Sequence, residues 1–146
     1  MAKPTYLLDT NIVSDLVRRP AGCIRDCVAA RGEDQVCTSI IVAAELRFGA
    51  IRKGSERLTA QLETVLAALE ILPFDQHADR RYGEIRQVLV GAGTPIGGND
   101  LLIAAHALAQ GLTLVTANDN DFCRVPGLVF ENWLSQQSPT NKPPGI

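Results

Sequence analysis

Asn99-Asp100-Leu101-Leu102-Ile103-Ala104-Ala105-His106-Ala107-Leu108-Ala109-Gln110 runs into Gly111 and then into Leu112-Thr113-Leu114-Val115-Thr116. The first run is an apolar helix with Asn99 as its cap and Gly111 as its left-handed stop. The second is apolar and β-branched and reads as a strand. Working outward, the same alternation returns. Upstream, Gly91-Ala92-Gly93-Thr94-Pro95-Ile96-Gly97-Gly98 can only be a loop, preceded by a helix over Gln76 to Val90 and a strand over Ile71 to Phe74. A long helix, Ser55 to Leu69, carries Leu58, Leu62, Val65, Leu66 and Leu69 at helical spacing. Ser39 caps a helix to Arg52 that follows a short strand, Gln35 to Thr38; helices over Asn11 to Arg18 and Ala21 to Ala30 follow the first strand, Thr5 to Leu8. Downstream, Leu128-Val129-Phe130 is a last short strand. Strands separated by helices imply an α/β domain, a central parallel sheet with helices on both faces. Sites in such sheets form beyond the carboxyl ends of the strands, where the strand order reverses.

At 146 residues, 46% hydrophobic and 21% charged, the chain suffices for one domain with a real core. The domain is expected over residues 1–134, with the proline-bearing segment 135–146 as a disordered tail. A formal net charge of −2 excludes global basicity as a route to nucleic acid. Eleven of the fourteen cations are Arg, however, and several cluster, among them Arg47, Arg52 and Lys53. Arginine is the better reader of phosphate oxygens. No stretch reaches the roughly 18 apolar residues that span a bilayer, and Met1-Ala2-Lys3-Pro4 leads straight into a strand without room for a signal peptide. The expected location is the cytoplasm, with Cys23, Cys27, Cys37 and Cys123 as reduced thiols of the core rather than a zinc site.

The chemistry lies in the acids at the edges of these elements. Asp9 closes Tyr6-Leu7-Leu8, and Glu45 interrupts Ile40-Ile41-Val42-Ala43-Ala44. Asp100 opens the apolar helix, while Asp119 and Asp121 follow the strand at Leu112. Each has a structural reading by itself: Asp9 as a helix cap, Asp100 as a complement to the helix dipole, Asp119 and Asp121 as turn residues. Glu45 has greasy helical neighbours, Ile41, Val42, Phe48 and Gly49, and its structural reading is a salt bridge to Arg47 or Arg52. Together the acids frame one pocket, and carboxylates are costly to desolvate unpaired. The natural occupant is a divalent cation. His77 and His106 are read as non-catalytic.

The stretches Leu7-Leu8-Asp9-Thr10-Asn11, Thr38-Ser39 followed by Glu45, Thr94-Pro95-Ile96-Gly97-Gly98-Asn99-Asp100, and Thr116-Ala117-Asn118 followed by Asp121-Phe122 occur in that order. In order and spacing they resemble PIN-domain nucleases, and the chain to about Trp133 resembles the VapC-type toxins of toxin–antitoxin pairs. The resemblance implies a metal-dependent endoribonuclease in which Asp9, Glu45 and Asp100 hold Mg²⁺ or Mn²⁺. Thr10, Asn11, Ser39 and Asn99 would orient these acids or the substrate, with Thr116 supporting a fourth position. Many members carry an acid two residues after this threonine, where this chain has Asn118. Asp121 is the better candidate for the fourth carboxylate and Asp119 the alternative, while Asn118 could position a water. The resemblance also implies a homodimer, a VapB-type antitoxin whose tail occupies the site, and tRNA as the RNA substrate. Arg47, Arg52 and Lys53 are candidate RNA contacts.

Rival readings fare worse. A haloacid-dehalogenase phosphatase needs a second Asp where Asn11 stands, and a receiver domain needs a lysine after its last main strand. A calcium loop at Asp119 would need Gly where Arg124 stands and Glu where Phe130 stands. The remaining alternative is a catalytically weakened PIN-like module that binds RNA or protein.

Overall fold

The strands are Tyr6–Leu8 (β1), Val36–Ser39 (β2), Glu70–Leu72 (β3), Thr113–Val115 (β4) and Phe130–Glu131 (β5). The helices are Thr10–Arg18 (α1), Cys23–Arg31 (α2), Ile40–Lys53 (α3), Glu56–Ala68 (α4), Gln76–Gly91 (α5), Gly98–Gln110 (α6), Asp119–Phe122 (α7) and Trp133–Gln136 (α8). A 3₁₀ turn, Glu33–Gln35, leads into β2. These come from a computed structural model that describes residues 3–136.

All strand pairs are parallel, in the order β3-β2-β1-β4-β5. The chain therefore winds outward from β1 in one direction through β2 and β3, then returns to the other side of β1 for β4 and β5. Right-handed crossovers place the two sets of connecting helices on opposite faces of the sheet. Leu7, Leu8, Cys37, Leu114 and Val115 are fully buried, as strands covered on both faces must be. Leu8 is in register with Thr38 on one side and Val115 on the other. The residues that follow, Asp9, Ser39 and Thr116, thus reach the carboxyl edge at one level. The order reverses between β1 and β4, and that is where a crevice opens in such folds.

Local chemistry sets the helix ends. Ser39 accepts the Ile41 N–H at 3.0 Å and starts α3, Ser55 accepts from Leu58 N–H at 3.1 Å and starts α4, and Asp75 accepts from His77 and Ala78 to start α5. Gly54 and Gly111 end α3 and α6 with φ of +65° and +67°, left-handed values that an L side chain rarely adopts. Near the end of the described chain, the Trp133 ring meets Tyr6 edge-on at 5.1 Å. The Arg31 guanidinium lies over the same tryptophan at 4.4 Å, fastening α8 and α2 to β1.

Several elements depart from the expected bounds. The Gln76 helix extends one residue to Gly91. The cap of α6 is Gly97, so Asn99 lies inside the first turn with its side chain free for another task. The strand expected over Ile71 to Phe74 is Glu70–Leu72, because Pro73 has no N–H to give the ladder. The last strand is Phe130–Glu131 rather than Leu128 to Phe130, set by its pairing with Leu114 and Val115. Asp119 to Phe122 form one helical turn instead of an open turn. Cys23, Cys27 and Cys37 are at least partly buried, but Cys123 is exposed. Ser135 and Gln136 of the expected tail belong to α8, and the rest of it lies outside the described residues. No helix among those residues is long and apolar enough to cross a membrane.

Candidate active site

Asp9 follows β1 directly, and its own N–H donates to the Val115 carbonyl at 2.8 Å, which fixes it across the β1–β4 crevice. Both side-chain oxygens are engaged. Oδ1 accepts the Thr10 N–H at 2.8 Å and Oδ2 accepts the Thr116 hydroxyl at 2.7 Å. Asp9 is 3% exposed. Burial raises its pKa foremost, the hydrogen bonds from Thr116 and Thr10 oppose the rise, and the charge of Glu45 adds to it.

Glu45 lies in the second turn of α3. The alternative reading of Glu45, a salt bridge to Arg47 or Arg52, is not realised. Glu45 instead accepts the Thr10 hydroxyl at 2.6 Å and the Asn99 amide at 3.0 Å, two neutral donors that leave its charge uncancelled. Arg47, a candidate RNA contact, is forked onto Glu63 at 2.9 and 3.0 Å and ties α3 to α4. Arg52 and Lys53 are exposed.

Asp100 enters from the first turn of α6. Its carboxyl is pushed up to about 6, first by burial and then by the charges of Asp9, Asp121 and Glu45; the Asn118 amide works the other way. That amide donates to Asp100 Oδ2 at 3.0 Å and to Asp121 Oδ2 at 3.1 Å. Asn118 is thus a neutral bridge between two carboxylates, and it draws Asp121 to the group. Its own N–H donates to Thr116 Oγ at 3.0 Å. Asn11 accepts the Ala117 N–H at 3.4 Å. Asp119 is elsewhere, accepting the Asn132 amide at 3.3 Å, and Ser39 makes its contact inside the protein.

Asp9, Glu45, Asp100 and Asn118 line one cavity of about 420 Å³, together with Thr10, Asn11, Ser14 and an apolar wall that includes Val17, Leu46, Leu58 and Leu62. Asp121 does not line it. Arg18 and Lys53 do; Arg18 was not singled out in the sequence, since only the fold shows that α1 and α3 run along one groove. Lys53 follows Glu45 by two helical turns, about 12 Å along the axis. The groove is therefore dipolar, acids near the sheet edge and cations toward the ends of α1 and α3.

The donor set suits a hard divalent cation. Like-charged carboxylates are desolvated together, and two of them resist ionisation for that reason. Among the described residues no three acidic, imidazole or thiol groups close into a ready-made cage. Mg²⁺ seldom uses one, taking a few carboxylates and completing its shell with water and substrate oxygens.

A doubly wound α/β domain with carboxylates gathered at its topological switch point is the class that fold and site define. The chain belongs to the PIN domain family, whose model matches residues 6–128. It is 40% identical over 130 residues to Ribonuclease VapC2 of Rickettsia felis, covering 88% of this chain and 97% of that protein. It is 36% identical to the tRNA(fMet)-specific endonuclease VapC of Salmonella typhimurium, covering 88% and 97%. Its structure is similar to that of VapBC2 from Rickettsia felis bound to a DNA fragment from the promoter, with a TM-score of 0.83 and 37% identity over 88% of this chain and 98% of that one.

Proposed function

We propose that the protein is an Mg²⁺- or Mn²⁺-dependent endoribonuclease, the toxin of a toxin–antitoxin pair, inhibited by a VapB-type antitoxin. One observation carries the reading: Asp9, Glu45 and Asp100, from three separate segments, line one cavity in a chain 40% identical to a ribonuclease. Asp9, Glu45 and Asp100 would hold the ion, with Asp121 brought near by Asn118 as the fourth acid. When bound, the ion polarises the phosphodiester, lowers the pKa of an attacking water and offsets charge on the departing 3′-oxygen.

The chain's own groups do the rest. Thr116 and Thr10 fix the rotamer of Asp9, Asn99 and Thr10 hold Glu45, and Asn118 holds Asp100. Arg18, Lys53 and Arg52 attract the phosphates that flank the scissile one, a contribution that salt weakens. Arg47 can join them only by leaving Glu63. The substrate is tRNA, a reading supported by the name of the Salmonella relative. The protein acts in the cytoplasm as a homodimer.

The test is incubation of the purified protein with total RNA and Mg²⁺ or Mn²⁺, beside Asp9→Asn and an EDTA control. Discrete cleavage that is largely lost in Asp9→Asn, and that EDTA stops, is the expected result. RNA binding without cleavage, indifferent to Asp9→Asn, would favour the binding module instead.

A further inference from the structure

His106 lies wholly inside the protein, six residues beyond Asp100 on α6. Its Nδ1 is 2.8 Å from Ser39 Oγ, and Ser39 is the cap of α3, the helix that carries Glu45. Phe74, between β3 and α5, meets the ring edge-on at 5.5 Å. Three segments of the fold therefore converge on one imidazole.

The proton inventory fixes how the ring is held. Burial lowers its pKa, so the ring is neutral near pH 7 and carries one N–H. Ser39 is fully buried and Nδ1 is the acceptor within reach of its hydroxyl hydrogen, so the ring's one hydrogen is on Nε2. Nδ1 is then bare and accepts the Ser39 hydroxyl, whose oxygen already accepts the Ile41 N–H. Nε2 is buried and has no hydrogen-bond partner among the described residues. An apolar ring would fill the space without that loss, so the polar atom is explained by what Nδ1 does.

We propose that His106 is a positioning residue: its bond to Ser39 sets α6 against the start of α3 and so places Asp100 relative to Glu45. The Asn99–Glu45 hydrogen bond spans the same two helices at the site itself. The proposal rests on the nuclease reading for its effect on rate, though not for the bond.

Five proteins decide it: wild type, His106→Leu, Ser39→Ala, Ser39→Thr and the His106→Leu/Ser39→Ala double variant, each measured for RNA cleavage and for Mn²⁺ affinity by calorimetry. Removing a group that orients metal-holding side chains costs roughly tenfold or more in affinity or activity. That loss is expected in kcat and in Mn²⁺ binding, with KM for RNA little changed. Ser39→Thr, which keeps both the hydroxyl and the cap, should recover most of it. The His106→Leu/Ser39→Ala double variant should be no worse than the poorer single. Unchanged kcat and Mn²⁺ affinity in folded His106→Leu would overturn the proposal. Should His106→Leu fail to fold, nitrogen NMR of the wild-type imidazole decides: a protonated Nε2 with bare Nδ1 supports the bond as described, and a protonated Nδ1 overturns it. A wild type that cuts no RNA sinks the nuclease reading alone, since Mn²⁺ affinity and the tautomer still judge the clamp.

Discussion

Asn118 shows what a single side chain changes. An amide at this position gives Asp100 a donor at 3.0 Å, whereas a carboxylate would present a like charge there. Asn118→Asp should push the Asp100 carboxyl further above its value of about 6, which carbon NMR of the carboxyl in metal-free protein would read; a fall would contradict the bridge. Asp100 also ties stability to pH. Its pKa is raised above 3.8 in the folded chain, so the native state holds the proton more tightly than the unfolded one. The resulting stabilisation is fully present below pH 3.8 and is lost as pH rises through about 6. Asp100→Asn mimics the protonated form and should stabilise metal-free protein at pH 7 by about 1 kcal/mol, after allowance for a group only partly buried. The gain should vanish near pH 4; a constant gain in denaturant melts at both pH values would exclude this origin. The acids were legible in the sequence because their identity and place after apolar runs are local facts. The bridge was not, because an amide's partners depend on which segments the fold brings together.

Helices in this chain were legible where their ends carry their own chemistry. Ser39, Gly54, Ser55 and Gly111 all punctuate as their residue types suggest. Gly111 joins α6 to β4 at φ +67°, and Gly111→Ala should cost about 1 kcal/mol in chemical denaturation. A neutral result would mean that the connection relaxes out of the left-handed region. Strand ends were less legible, since a strand stops where its partner stops. β3 and β5 each moved from the expected span because register with β2 and β4 sets it. The turn Asp119–Phe122 is too short to show a period.

For the whole molecule, alternation along the chain gave the parallel sheet, but nothing local encodes the order β3-β2-β1-β4-β5. That order makes the edge between β1 and β4 the crevice, and hence brings Asp9 and Thr116 within 2.7 Å. A cation held there stabilises the fold by mass action, by about 2.7 kcal/mol at a hundred times its Kd. Mg²⁺ should therefore raise the melting temperature by several degrees, and Asp9→Asn should abolish most of that rise; equal rises in both would place the ion elsewhere. The dipolar groove adds a second expectation. Lys53→Glu should raise KM for RNA several-fold at low salt and flatten its salt dependence, while an unaltered salt slope would remove Lys53 from the substrate path.

Trp133 is the sole tryptophan of the chain, and it sits against Tyr6, three residues before Asp9, beneath the Arg31 guanidinium. The protein thus carries its own fluorophore at the root of the strand on which the site is built. Emission from that indole should redden when α8 parts from β1. Because the contact is anchored in the central strand, the optical change should coincide with the loss of circular dichroism on heating, as one cooperative unit. An earlier emission change would mark α8 as a latch that opens before the sheet.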